Sequence, residues 1–390
     1  MKSSLLTSNF KESVIRDMTR VAMRHNAINL SQGFPDFMPP PSVVNAAVEA
    51  IQGGINQYTI TWGYPTLREK IAELYRPQLG WDIDPDVHVT ITCGVTEAII
   101  SAQMGILDPG DEIVIVEPAH ENFRPAALMA GATPVPFPLL PPAFELDFER
   151  LATYITPKTK ALLLNTPQNP TGRVFNAEEM AGVAKIVIEN DLMLITDEIY
   201  NYILYDGRTH VPPGSLDGLQ ERTITISGMG KSYAITGWRL GYIVAPEPMA
   251  TGIRKVHDFL TICAPTPMQA AAVEALSLPE SYYVQLREDY AKRRDITMGY
   301  LEEIGFTAIM PEGAYYTMAD YSQLSIPQAS MSEMDFATWM TTDVGVAVVP
   351  GNSFYSDDDA RYTTSTVRFA FPKQLETLHE AGNRMKAKLL

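Results

Sequence analysis

From residue 87 onward the chain alternates short apolar runs with amphipathic stretches, and few architectures accommodate that rhythm. VHVTIT passes through Gly94 into TEAIISAQMGIL, EIVIVEP leads to a helical stretch over 122–129, and KALLLN leads through a helix over 177–189 to LMLITD. Apolar runs of this length, rich in β-branched residues and Leu, are strands buried on both faces, and the longer periodic stretches between them are helices. The alternation predicts an α/β fold built on a mainly parallel sheet sandwiched by helices. In such sheets a ligand sits beyond the carboxyl ends of the strands. Gly94, His120, Asn169, Asp197 and Lys231 each fall at or just past such an end.

The flanking sequence has a different texture. A helix over 12–24 precedes INLSQGFPDFMPPP, whose Gly and Pro content demands an extended, turning connection, with Gly33 marking a close backbone approach. Ser42 is expected to cap a helix to residue 51 and Thr66 another to residue 79, on either side of an aromatic loop, GGINQYTITWGYP. After Leu278 come a long charged helix over 282–304, strand-like AYYTMAD, a helix over 332–342, GVAVVPG, TVRFAF and a C-terminal helix. This predicts a smaller α+β domain over 280–390, a large domain over 41–279, and an arm over 1–40 that belongs partly to the small domain.

Composition narrows the function classes. At 390 residues and 46% hydrophobic content the chain can bury a large core, and a net charge of −16 argues against nucleic acid or an anionic membrane as partner. Two cysteines, Cys93 and Cys263, are too few for a disulfide framework or a zinc site and fit the free thiols of a cytoplasmic protein. The six histidines show no metal-binding spacing, so no metal is expected. No segment has the length of a membrane span, and the first residues lack the apolar core of a signal peptide.

The chemistry gathers around SGMGKSYAITGWRLG, residues 227–241. A β-branched run over 223–226 feeds a bend of small residues carrying Lys231, and Arg239 follows before the next strand. GMGKS imitates a phosphate-binding P-loop, but Thr225 stands where that motif requires Gly. A lone Lys in such a bend is ordinarily a solvated charge; its company argues otherwise. Asp197 ends LMLITD, where a buried carboxylate needs a cationic partner such as a protonated pyridine nitrogen, the alternative being a simple capping role. Asn169 sits in NPTG, a tight loop after KALLLN. Gly94, Val95 and Thr96 lie where a strand meets a helix N-terminus, a natural anion site to which Arg239 adds a bidentate charge.

These segments, taken in order, resemble the class I aminotransferases of the fold-type I, pyridoxal 5'-phosphate (PLP) family. NLSQGFPDF, NPTG, TDEIY, SxxxKxxxxxGWRxG and VRFAF carry the resemblance across the chain. QGFPDF, NTPxNPTG and APTPxQA are similar to the subgroup of glutamine–phenylpyruvate, methionine and kynurenine aminotransferases. The resemblance implies a seven-stranded sheet and PLP as cofactor. Lys231 would attach the cofactor and move the substrate's α-proton, while Asp197 would keep the ring nitrogen protonated. Asn169 and Tyr200 would bond the phenolic oxygen. Ser227, Arg239 and the amides of Gly94, Val95 and Thr96 would hold the phosphate, and Arg368 would clamp the substrate α-carboxylate beside the Gly33 backbone. Tyr58 matches a tyrosine that reaches the phosphate of the neighbouring subunit, which implies a homodimer. The implied reaction moves an α-amino group between an L-amino acid (large neutral, aromatic, Met or Gln type) and a 2-oxo acid by a ping-pong mechanism.

Three features depart from the family pattern. Gly228 occupies a position where a serine is common, leaving Ser227 as substitute. His120 stands where an aromatic ring stacks on the cofactor, and it can stack or exchange protons. Ile15, with Arg16 beside it, replaces an aromatic residue of the side-chain pocket, so that Trp62 and Tyr64 are the remaining aromatic candidates. Two other functions stay open at this level. One is a PLP enzyme with an eliminating, oxidative or cyclising outcome. The other is a catalytically silent binding module, against which the joint presence of Lys231, Asp197, Asn169 and Arg368 argues.

Overall fold

The computed structural model describes residues 4–9, 12–356 and 365–390; parts of the N-terminal arm and of the C-terminal region thus lie outside the described residues. The chain opens with helix α1 (Val14–His25) and strand β1 (Ile28–Asn29), then α2 (Pro41–Gln52) and α3 (Pro65–Leu79). Both of the latter begin at a proline, with Pro40 and Tyr64 as caps rather than Ser42 and Thr66. Proline at the first helical position sacrifices only an N–H that has no partner there, so it outcompetes the nearby hydroxyl as a start signal.

The alternating region builds β2 (Val89–Thr92), α4 (Val95–Ile106), β3 (Glu112–Glu117), α5 (Phe123–Met129), β4 (Thr133–Pro138), α6 (Phe148–Ala152), β5 (Thr159–Asn165), α7 (Ala177–Glu189), β6 (Met193–Asp197), β7 (Thr223–Gly228) and β8 (Gly241–Val244). The seven strands form one sheet in the order β2-β8-β7-β6-β5-β3-β4, parallel except for β8, which runs against both its neighbours. Side chains alternate across it. Ile113, Ile115, Leu163, Ile195 and Ile226 pack under α4, α5 and α8 (Glu247–Thr261), while Val114, Val116, Leu162, Leu164 and Leu194 pack on α7. Strand β4 was not anticipated. Its sequence, TPVPFP, places proline at every second residue, which is tolerated because β4 is an edge strand hydrogen-bonded on one side only.

Beyond α8 and α9 (Thr266–Leu276) comes the long α10 (Glu280–Ile304), capped at Pro279. A four-stranded sheet follows from β9 (Thr307–Ala308), β10 (Tyr316–Asp320), β12 (Val349–Pro350) and β13 (Thr366–Ala370), in the order β12-β13-β10-β9. It packs with α10, α11 (Glu333–Trp339) and α12 (Leu375–Leu389) around Tyr290, Leu301, Phe306, Phe336 and Phe369. The N-terminal β1 pairs in parallel with β11 (Val346–Ala347), which fastens the arm to this region. No described helix is long and apolar enough to cross a membrane, and no group of three potential metal ligands occurs among the described residues.

Candidate active site

Parallel register sets the floor of the site. Asn165 lies beside Asp197, and Asp197 beside Ile226, at the carboxyl ends of β5, β6 and β7. The Asn165 amide donates to the Asp197 carbonyl at 2.7 Å and its Oδ1 accepts the Asn169 N–H at 2.7 Å, so one side chain fixes the turn that carries Asn169. Asp197 is buried, with one oxygen accepting the Ile199 N–H at 3.1 Å. Burial pushes its carboxyl up to about 7, against the pull of that N–H and of the Lys231 charge.

Lys231 enters from the bend after β7. Its Nζ donates to the Gly33 carbonyl at 2.9 Å and lies 5.9 Å and 5.7 Å from the ring centres of Tyr200 and Tyr315. The Tyr315 hydroxyl reaches the same carbonyl at 3.0 Å. Gly33 is required: a Cβ there would lie 1.8 Å from the Tyr316 hydroxyl. That hydroxyl sits 3.0 Å from the hydroxyl of Tyr200, whose phenol burial and the adjoining Tyr316 hold well above its usual range.

An anion-binding pole lies at the start of α4. Gly94 caps the helix with φ of 81° and no side-chain bond, leaving the first-turn amides of Val95 and Thr96 on the cavity wall. A Cβ at Gly94 would stand 2.5 Å from Nη2 of Arg239. Arg239 itself holds a left-handed backbone, φ 57°, and donates to the Thr236 carbonyl at 3.0 Å. Such a conformation costs a non-glycine residue energy and persists where the surroundings enforce it.

Arg368, from β13, forms the other pole. It is buried between the faces of Tyr316 and Phe354, at 4.4 Å and 4.7 Å, and donates to Asn169 Oδ1 at 2.8 Å and to the Ser31 carbonyl. Its Nε has no partner, and no carboxylate among the described residues lies within ion-pair reach. Burial depresses its pKa. A buried cation without an anion is costly and calls for one from a ligand. Between the poles lies a cavity of about 540 Å³ lined by Asp197, Lys231, Asn169, Tyr200, Arg239 and Arg368, within the range of small-molecule sites.

The rim is polar. His120 bonds Asn122 through Nδ1, and burial lowers its pKa. Glu121 accepts from Ser13, the residue that caps α1. From α1, buried Ile15 and exposed Arg16 both face the cavity, and no described carboxylate pairs with Arg16. Four candidates do not line this cavity. The Ser227 hydroxyl turns away to the Glu198 carbonyl at 3.2 Å. Tyr58 is 77% exposed, Trp62 lies under the Arg254 guanidinium at 4.9 Å, and Tyr64 caps α3. The sequence reading missed Asn165, Ser31, Tyr315 and Tyr316. The first ends an anticipated strand, but the tyrosines look like ordinary strand aromatics until the small sheet is placed against Gly33.

PLP carries a phosphate, a protonatable ring nitrogen, a phenolic oxygen and an aldehyde. The cavity offers a helix N-terminus with Arg239, a buried carboxyl whose pKa burial raises, the side chains of Asn169 and Tyr200, and a lysine amine; the residues fit the cofactor. The family model for aminotransferases of class I and II matches residues 25–381. Probable N-succinyldiaminopimelate aminotransferase DapC of Mycobacterium tuberculosis is 37% identical over 384 residues, 96% of each chain. Mouse kynurenine–oxoglutarate transaminase 1 is 35% identical over 396 residues, covering 95% of this chain and 93% of the relative. Methionine aminotransferase of Escherichia coli is 33% identical over 374 residues, 96% and 95% respectively. The solved structure of the Mycobacterium tuberculosis N-succinyldiaminopimelate aminotransferase superposes with a TM-score of 0.94 at 36% identity, over 99% of this chain and all of that one. The eliminating and silent readings gain nothing from these matches. The chain belongs to the class I and II aminotransferase family, and it is a PLP-dependent enzyme that transaminates amino acids.

Proposed function

We propose that Lys231 is the attachment and proton-transfer residue of this transaminase, acting between a cofactor-facing Asp197 and a substrate-facing Arg368. The observation that carries the reading is that Asp197, a buried carboxyl whose pKa burial raises, and Arg368, a buried guanidinium with no carboxylate in ion-pair reach among the described residues, line one cavity with the Lys231 amine. Bound PLP supplies an electron sink for the bond broken at the substrate's Cα. Asp197 would pair with the protonated ring nitrogen, and that cation would keep its carboxylate ionised. Asn169 and Tyr200 orient the phenolic oxygen. Arg239 and the amides of Val95 and Thr96 hold the phosphate, with Gly94 making room for the guanidinium. Arg368 would take the substrate α-carboxylate through its free Nε edge, near the Gly33 backbone, and His120 would serve as the stacking residue for the cofactor. Lys231 would take up the substrate's α-proton and return it to complete the transfer.

The amino donor is of the large neutral, aromatic, Met or Gln type, a reading supported by Ile15 on the wall and by the relatives named for methionine and kynurenine. Exposed Arg16 at the mouth suits a distal carboxylate on the 2-oxo acid. A panel of amino acids, read by conversion of the cofactor to its pyridoxamine form, tests this. Large neutral donors should convert it fastest, and release of ammonia in place of conversion would refute transamination by this site.

The active unit is a cytoplasmic homodimer whose domains, 41–279 and 280–390, close on substrate. Support for the dimer comes from the aromatic loop, where exposed Tyr58 and Ile60 are tied by Thr61 to Asp258 at 3.1 Å, next to Phe259, 93% exposed, with Leu260 and Ile262 beyond it. Two free cysteines suit a reducing compartment. Trp62 and Tyr64 pack within their own chain, Trp62 under Arg254 and Tyr64 against the core around α3.

A further inference from the structure

Behind the phosphate-binding turn runs a buried chain of polar contacts that the transamination chemistry does not use. Glu97, in the first turn of α4, accepts the N–H of Cys93, the residue before Gly94, at 3.0 Å, and also the Ser101 hydroxyl. His257, fully buried on α8, meets both Glu97 carboxylate oxygens through Nδ1 at 3.1 Å. Its Nε2 lies 2.9 Å from the Thr61 carbonyl in the aromatic loop. One imidazole therefore bridges the wall of the anion pole and the loop that carries Tyr58. A carbonyl faces one nitrogen and a carboxylate the other, with the Thr261 hydroxyl also 3.3 Å from Nδ1, and two such acceptors favour the doubly protonated, positively charged ring.

The position of Glu97 makes that charge consequential. A buried carboxylate in the first turn of the helix that receives a dianionic phosphate opposes its binding. The imidazolium behind it cancels the repulsion while leaving the carboxylate in place to hold Cys93. We propose that His257 is a positioning residue for the cofactor phosphate: it clamps the α4 N-terminus to the aromatic loop and neutralises Glu97. This rests on the assignment of Gly94, Val95, Thr96 and Arg239 as the phosphate site.

Burial works against the charge on His257, but the Glu97 carboxylate outweighs it, helped by the Thr61 carbonyl and by Asp258, and the ring's pKa stands above its ordinary 6.5. The other charged group on the same face of α8, Arg254, is one turn away and donates to Asp86 and Val89 carbonyls. With its pKa raised in the fold, the clamp is complete at low pH and is lost as pH rises through the folded value.

The test is titration of the apoenzyme with PLP, and the ³¹P resonance of the bound phosphate, for the wild type, His257→Gln, Glu97→Gln, the double variant and Arg239→Ala, at roughly pH 6 to 9. His257→Gln should weaken PLP at least tenfold at low pH, shift the ³¹P resonance, and converge on the wild type as pH rises. With Glu97→Gln already present, the same change should cost much less. A gap that is constant with pH, or no gap, overturns the proposal. If Arg239→Ala also leaves affinity unchanged, the phosphate-site assignment itself is wrong; if Arg239→Ala weakens PLP and His257→Gln does not, only the clamp is.

Discussion

Asp197 and Arg368 are each placed where a charge is expensive, and each has its cost offset only when a ligand arrives. For Asp197 the consequence is measurable without turnover. Its carboxyl has moved from an ordinary 3.8 to about 7, so between those values the folded apoprotein binds a proton that the unfolded chain does not. Stability must therefore fall as pH rises across that window, by on the order of 4 kcal/mol at the limit. Glu117, which burial also raises to about 7, adds a slope of its own; Asp197→Asn removes only the Asp197 share. Urea unfolding of the apoenzymes between roughly pH 4 and 7 should show the variant gaining on the wild type as pH rises. Addition of PLP should flatten the wild-type slope, because the paired carboxylate stays ionised. The residue scale is also where the sequence was most legible. Strand-end logic alone picked out Asp197, Asn169, Gly94 and Lys231, because a parallel sheet gathers such ends. It was blind to Tyr316 and Ser31, whose place depends on how β10 and the Gly33 segment come together across the fold.

Among the elements, the β7–β8 pair explains a local departure from the family pattern. A Cβ at Gly228 would meet the Leu240 carbonyl at 2.8 Å and Gly241 Cα at 3.1 Å, both on the neighbouring β8 side. The strands approach too closely for a side chain. Gly228→Ser, although it restores the residue common in the family, should destabilise the protein by about 1–3 kcal/mol through this overpacking and bring no gain in PLP affinity. Thermal unfolding and a PLP titration check both halves. Elements with strong periodicity, such as α7 and β5, were readable within a residue or so. Strand β4 was hidden by its prolines, and the starts of α2 and α3 were misread because a hydroxyl was favoured over proline.

At the scale of the whole molecule, the aromatic loop and the end of α8 leave Tyr58, Ile60, Phe259, Leu260 and Ile262 in the open. Exposed apolar residues gathered in this way are what the proposed association surface would bury. On the proposed dimer, sedimentation should show two copies together, and Phe259→Asp should release monomers with weaker PLP binding, because Tyr58 is proposed to reach the partner's site. The net charge of −16 keeps such monomers soluble, so loss of the dimer is observable without precipitation.

On the proposed mechanism Lys231 joins the cofactor and gives it up to an amino donor. Borohydride reduction of the purified holoenzyme, followed by peptide mass spectrometry, tests it most directly. The pyridoxyl mass should fall on the Lys231 peptide alone, and it should disappear when a large neutral amino acid is added before reduction, with the pyridoxamine form released. A label on another lysine, or one that persists in the presence of every amino acid tried, would contradict it.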